Sequence, residues 1–325
     1  MKKITVLVPE NAVIEAISPA YRLFKTANEF LENSGKKPLF IVEYVGLHNQ
    51  VITNDGEYIV KTHRLIHEVT QTDVVIIPAI YGAINDAIVA NQEAIAWIKK
   101  MYANGSEVAS LCIGAFLLAE TGLVNGKKCS THWAYYNTFR EKYPEVEIVD
   151  GAVITDEGTI YSSGGANSLW NLLFYLLEKY ADRETAVLAS KFFAIDIDRS
   201  SQAAFALFVG QKEHDDIEIQ KAQEHIEANY HDKMTIDELA TIFKIGRRTF
   251  ERRFKAATNN TIIEYIQRVK VEAAKRSFEN SRKNISEVMY AVGYSDTKAF
   301  RDLFKKVTGL TPIEYRNKYN KTAIS

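Results

Sequence analysis

Cysteine is almost missing from this chain: of 325 residues, only Cys112 and Cys129 carry a thiol. Two cysteines exclude a disulfide framework and a cysteine-based zinc site. Long apolar runs are missing too, since none approaches the ~20 residues of a membrane span. After Met1-Lys2-Lys3 the apolar run lasts only from Ile4 to Val8 before Pro9 and Glu10. That is too short for a signal-peptide core, so a cytoplasmic protein with no membrane partner is expected. His63 and His67 have i, i+4 spacing, but zinc needs three or four ligands and no third lies nearby, so neither a metal nor another cofactor is expected. No charge dominates either, with 40 Lys+Arg against 41 Asp+Glu.

What is present is an average globular composition, 46% hydrophobic and 25% charged, which excludes disorder as the main state. The length implies about two domains of 100 to 200 residues each. The near-neutral charge conceals an asymmetry: Asp216 to Ser325 holds 21 Lys+Arg against 15 Asp+Glu, whereas the rest holds 19 against 26. The basic end is the candidate for meeting phosphate, where Lys and Arg displace counterions.

Over the first ~180 residues, short apolar strands alternate with amphipathic helices, a pattern that builds a parallel sheet covered on both faces. Ile4–Val8, Leu39–Val45, Val74–Ile77 and Val108–Leu111 read as strands, and Ala87–Met101 and Leu169–Tyr180 as helices. The fold class is therefore a doubly wound, flavodoxin-like α/β domain over 1–193, with its ligand site at the carboxyl ends of the strands. Periodicity weakens after Lys179, and 194–216 reads as a linker. From Ile217 to Ser325 the pattern is all-α. Ile236, Leu239, Ala240, Phe243, Ile245, Phe250 and Phe254 are matched 49 or 50 residues later by Ile285, Val288, Met289, Val292, Tyr294, Phe300 and Phe304. Each copy has the spacing of two short helices joined by a tight turn, a helix-turn-helix unit. Ile262, Ile266, Val269 and Ala273 form a stripe between them, so one long helix can dock against both copies.

With the phenylalanines inward, Arg247, Arg248, Glu251, Arg252 and Lys255 of the first copy turn outward, as do Thr297, Lys298, Arg301, Asp302 and Lys305 of the second. Arg reads guanine bidentately and Glu or Asp accepts from cytosine in the major groove, so double-stranded DNA is the expected partner. The segment from about Ile219 to Tyr319 resembles the AraC-type DNA-binding domain, most specifically in Val292-Gly293-Tyr294-Ser295-Asp296, Phe300-Arg301-Asp302-Leu303-Phe304 and Thr308-Gly309-Leu310-Thr311-Pro312. Gly246 stands where that family usually has a capping Ser, and Met289 where it usually has Ala; neither disturbs the fold.

In the N-terminal part, Ala109-Ser110-Leu111-Cys112-Ile113-Gly114-Ala115 has the small neighbours of a nucleophile elbow, a sharp strand-to-helix turn presenting its central side chain. A cysteine there sees a helix N-terminus, which favours thiolate. Glu15 follows the first strand and His132 lies in Ser130-Thr131-His132-Trp133, so both are candidates to converge on Cys112. This constellation resembles the class I glutamine-amidotransferase-like superfamily of PfpI type, over roughly residues 1 to 190. The resemblance implies Cys112 as elbow cysteine, Glu15 as its acid partner and His132 as the neighbouring histidine. Enzymes of that superfamily usually have glycines where this chain reads Pro78-Ala79-Ile80-Tyr81-Gly82, and Ile113 replaces the histidine of protease-like members.

The fusion resembles GlxA-type regulators. It implies a DNA-binding transcription regulator, a homodimer able to meet RNA polymerase, whose N-terminal domain senses a small, nitrogen-containing metabolite at Glu15, Ala79, Cys112, Ile113 and His132. No enzyme activity is expected of this site, vestigial or ligand-binding. The alternatives are a cysteine-dependent hydrolase, lyase or glyoxalase-like enzyme using Cys112, and redox sensing through the same thiol.

Overall fold

Runs of Val, Ile and Leu become strands wherever both faces are buried. The computed structural model describes residues 1–197, 201–212 and 214–320, and divides into two compact units, Met1–Gln202 and the remainder from Ala203. The strands of the first unit are β1 (Lys2–Val8), β2 (Phe40–Gly46), β3 (Gln50–Thr53), β4 (Tyr58–Lys61), β5 (Arg64–Leu65), β6 (Val74–Ile77), β7 (Glu107–Ser110), β8 (Lys128–Cys129), β9 (Glu147–Ile148), β10 (Ile154–Asp156) and β11 (Ile160–Ser163). Among the described residues, seven of them form one sheet in the order β10-β11-β7-β6-β1-β2-β5. Every pairing is parallel except β10 with β11.

The helices are α1 (Ile14–Asn33), α2 (Ile84–Ala90), α3 (Gln92–Ala103), α4 (Ala115–Glu120), α5 (Tyr136–Lys142), α6 (Ser168–Tyr180) and α7 (Arg183–Phe193). Strand alternation divides them between two cores. Ile4, Val6, Val74 and Ile76 pack with α1, α6 and α7 on one face; Leu7, Val75 and Ile77 pack with α2, α3 and α4 on the other. The sheet is doubly wound, as expected. The segment 87–101, expected as one helix, is broken at the buried Asn91. The Asn91 carboxamide accepts from the Glu10 N–H and donates to the Glu10 and Ala87 carbonyls, competing with the helix for backbone partners. The weak periodicity after Lys179 conceals α7, which starts on an Asp182 cap accepting from the Thr185 N–H.

Within the segment 194–216 read as a linker, residues 198–200 and 213 lie outside the described residues, as do residues 321–325 at the end of the second segment. The boundary between the units falls inside that segment, at Gln202/Ala203.

The described part of the second unit is helical: α8 (Ile217–Ala228), α9 (Ile236–Ile242), α10 (Arg247–Thr258), α11 (Ile262–Asn280), α12 (Ile285–Ala291), α13 (Thr297–Thr308) and α14 (Pro312–Tyr319). The repeat seen in the apolar residues extends to the caps. Thr235 with Glu238 starts α9 and Asn284 with Glu287 starts α12, both as reciprocal capping boxes. Thr261 with Glu264 and Thr311 with Glu314 do the same for α11 and α14. Left-handed residues end α10 and α13 at Asn259 and Gly309. The tight turns after α9 and α12 also need one, Lys244 at φ 53° and Gly293 at φ 75°.

The two turns thus impose one backbone conformation on two different residues. At Gly293 an added Cβ would stand 2.3 Å from the His231 carbonyl oxygen. Gly293→Ala is expected to lower stability by about 2–4 kcal/mol through left-handed strain and overpacking. Lys244→Gly, which relieves that strain at an exposed site, is expected to raise it by up to ~1 kcal/mol. Urea titration followed by circular dichroism checks both; equal effects of the two changes would contradict the assignment.

Candidate ligand pocket and nucleic-acid interface

Strand β7 carries the chain to the carboxyl edge of the sheet, and the Leu111 N–H still pairs with the Ile77 carbonyl at 2.8 Å. Cys112 then takes a left-handed conformation, φ 55°, and a 3-10 turn over Cys112–Gly114 leads into α4. This is the strained elbow expected of the sequence. Gly114 makes it possible, because a Cβ there would lie 2.3 Å from the Pro78 carbonyl oxygen. The Cys112 N–H donates to the Ser163 hydroxyl (3.3 Å), and the Cys112 carbonyl accepts from the Thr131 hydroxyl (3.1 Å).

Cys112 is 6% exposed. Burial pushes its pKa up to about 12, opposed only in part by the Ile113 N–H. Burial thus works against the thiolate that a helix N-terminus favours.

Ala79, Cys112 and Ile113 belong to the same apolar cluster, beside Val13 and Ile14. Ala79 is fastened there: its carbonyl accepts from the Val13 N–H (2.9 Å), and Tyr81 N–H donates to the Asn11 carbonyl (2.8 Å). His132 caps a 3-10 turn, its Nδ1 accepting from the Ala134 N–H, and burial holds its pKa below the ordinary value. Thr131, its neighbour, ties it to the Cys112 backbone. Glu15 is not joined to them. It lies exposed in the first turn of α1, its carboxylate accepts from the Asn54 side chain (3.2 Å), and among the described residues no hydrogen bond links it to Cys112. His63 accepts from the Tyr44 N–H and stacks on Tyr21, which uses its ring within the fold.

A residue absent from the expectations is tied into this edge. Gln202 is fully buried. Its Oε1 accepts from the Gly165 N–H (2.6 Å), and its Nε2 lies 3.1 Å from the Thr131 carbonyl, 2.9 Å from the Tyr136 hydroxyl and 3.0 Å from the Ala152 carbonyl. The signal that could have found it is the Gly164-Gly165 pair directly after β11.

In the second unit, Phe250 and Phe254 of α10 and Phe300 and Phe304 of α13 are buried, which leaves the opposite faces outward. Arg248, Arg252 and Lys255 are exposed on α10, and Thr297, Lys298, Arg301, Asp302 and Lys305 on α13. Arg247 is held by Asp237 (3.0 Å) and by the half-buried Glu251 (3.4 Å). Among the described residues Arg248, Arg252, Lys298 and Arg301 enter no side-chain ion pair. Arg253, between them in sequence, instead pairs with Asp216 at 2.6 Å.

The DJ-1/PfpI family model matches residues 2–179, and a helix-turn-helix domain model matches residues 239–318. The chain belongs to the DJ-1/PfpI family. ArgR, an HTH-type transcriptional regulator of Pseudomonas aeruginosa, is 25% identical over 221 residues, 68% of this chain and 67% of ArgR. GbdR, an HTH-type transcriptional regulator of the same species, is 23% identical over 229 residues, 69% of this chain and 61% of GbdR. The matched segments thus span about two thirds of these relatives or less. A suggested transcriptional regulator from Vibrio parahaemolyticus shares the fold, at 23% identity and a TM-score of 0.53 over 59% of this chain and 98% of that one. Among the described residues no helix is long and apolar enough to cross a membrane.

A pKa of about 12 leaves roughly one Cys112 in ten thousand as thiolate at about pH 8. Iodoacetamide should therefore label native Cys112 roughly a thousandfold more slowly than an exposed thiol, with a rate that rises about tenfold per pH unit. Peptide mass spectrometry reads this; rapid labelling near neutrality would show an activated cysteine instead.

Proposed function

We propose that this DJ-1/PfpI-family chain is a ligand-responsive transcription regulator. Its paired helix-turn-helix units bind double-stranded DNA through Arg248, Arg252, Lys298, Arg301 and Lys305, with Arg247, Glu251, Thr297 and Asp302 shaping that surface. Its N-terminal domain takes a small effector at the strand carboxyl edge, among Ala79, Cys112, Ile113 and His132, and pairs two copies into a homodimer that can meet RNA polymerase. The observation that carries the reading is the duplication of caps, turns and buried phenylalanines in two copies, each leaving basic residues on its second helix. Exposed basic residues at matched positions, Arg248 with Lys298 and Lys255 with Lys305, together with Arg252 and Arg301, suit major-groove reading. An ordinary helical bundle has no need of them.

The Cys112 site acts here as a ligand-binding or vestigial one. Support comes from the buried, protonated thiol and from Glu15 being engaged with Asn54. A nucleophile needs the opposite conditions, a lowered pKa or an adjacent base. A cytoplasmic location suits both partners.

The test is binding of the full chain to genomic DNA fragments at two salt concentrations, comparing wild type with Arg252→Ala and Arg301→Ala. Loss of a bidentate base contact is expected to weaken selective binding by about 5- to 150-fold, from ~1–3 kcal/mol per contact. Higher salt should weaken all binding. Absence of fragment-selective binding at either salt would remove the regulator reading.

A further inference from the structure

The chain leaves the first unit through Gln202, whose side chain is its last buried group before Ala203 opens the second. We propose that the cleft between Thr131, Tyr136, Ala152 and Gly165 is a binding slot for a primary carboxamide, filled here by the chain's own Gln202, which thereby latches the exit of the N-terminal domain to the wall of the Cys112 pocket.

The chemistry of the slot selects an amide. It offers one N–H donor, from Gly165, and three acceptors, the Thr131 and Ala152 carbonyls and the Tyr136 hydroxyl. A carboxamide supplies one carbonyl and one NH2, which satisfies both kinds of group. A carboxylate would turn an oxygen anion toward acceptors, and an alkyl group would leave buried polar atoms unpaired. The fit is also steric, since a Cβ on Gly164 would stand 2.0 Å from the Gln202 Nε2. The Gln202 backbone adds a bond of its own, from its N–H to the Gly151 carbonyl (2.9 Å), while the Gly151 N–H donates to the Tyr136 hydroxyl (2.9 Å).

The slot and the Cys112 site share walls. Thr131 presents its carbonyl to Gln202 and its hydroxyl to the Cys112 carbonyl. Ser163, which accepts from the Cys112 N–H, immediately precedes Gly164-Gly165. A Cβ on Gly165 would stand 3.9 Å from the His132 ring and 3.8 Å from the Ser168 hydroxyl, and that hydroxyl is buried without a partner among the described residues. Within the second unit the chain is held from Phe205, whose ring meets Tyr319 edge-on, and at Ala206, whose carbonyl accepts from Lys275, while the Phe208 N–H donates to Glu272. An effector bearing a carboxamide and a second polar group, able to reach Ser168 or His132, would displace Gln202 and free the tether that leads to the DNA-binding unit. The second group is needed because a tethered competitor acts at an effective concentration on the order of millimolar. The effect on transcription rests on the regulator reading above; the latch does not.

Hydrogen exchange of the full-length protein tests the latch directly. In Gln202→Ala, peptides covering 201–212 should exchange at least about tenfold faster, while those of the central sheet keep their protection. Propionamide at tens of millimolar should restore protection and raise the melting temperature of that variant, whereas sodium propionate should do neither and wild type should respond to neither compound. Gln202→Glu, which keeps the shape, should also loosen 201–212 and serves if the alanine variant does not fold. Unchanged exchange in both variants, or equal responses to propionamide and propionate, would overturn the proposal. If DNA binding is absent from wild type while the exchange and rescue results hold, the latch stands and the regulator reading fails.

Discussion

The C-terminal unit depends on one helix being shared by two cores. α11 contributes Ile262, Tyr265, Ile266 and Val269 to the core that holds Phe250 and Phe254, and Val271, Ala274 and Phe278 to the core that holds Phe300 and Phe304. At the junction Lys270 is buried, and burial lowers its pKa below the usual lysine value. Its ammonium donates to the Asp232 carbonyl (3.1 Å) and the Val292 carbonyl (2.9 Å), so the loop before the first helix-turn-helix and the turn of the second meet on one group. A buried charge is tolerated only with such partners. Because α11 spans 19 residues, it is about 28 Å long at 1.5 Å per residue. Neither copy can swing without exposing apolar surface that both halves of this helix bury.

In the N-terminal unit the corresponding constraint is the strand-to-helix elbow. The elbow geometry is kept, with Cys112 left-handed and Gly114 pressed against the Pro78 carbonyl. The electrostatics that would make it reactive are not. A thiol packed among Ala79, Ile113 and Val13 loses solvation, and the Ile113 N–H offsets that loss only in part. Ser163, Thr131 and Gly165 at this edge instead hold the Cys112 backbone and Gln202. Under the proposed function this scaffold takes the effector, and under the proposed latch the buried Gln202 amide links it to the exit of the domain.

Much of this architecture was legible from residue patterns. Val74–Ile77 reads with its observed boundaries, because four consecutive β-branched residues suit a central parallel strand buried on both faces. The helix-turn-helix pair was legible because buried residues recur at a fixed spacing. Asn91 and Gln202 escape for a common reason: each is a single polar side chain bonded to backbone groups 37 to 81 residues away, and no local period records such bonds. α7 escapes because its cap, Asp182, opens a chain stretch whose periodicity is weak. Glu15 was placed correctly after β1, but its direction depends on Asn54, another distant residue. Pattern reveals which faces are buried; it does not reveal which polar groups find each other across the fold.

If α11 fixes the two helix-turn-helix units, each chain should engage DNA at two points with one spacing. Hydroxyl-radical footprinting of the full-length protein on a fragment that it selects measures this directly. The account predicts, for each chain, two protected stretches on the same face about 10 base pairs apart, the distance between successive major-groove turns. One protected half-turn per chain, or two stretches whose separation varies from site to site, would contradict it.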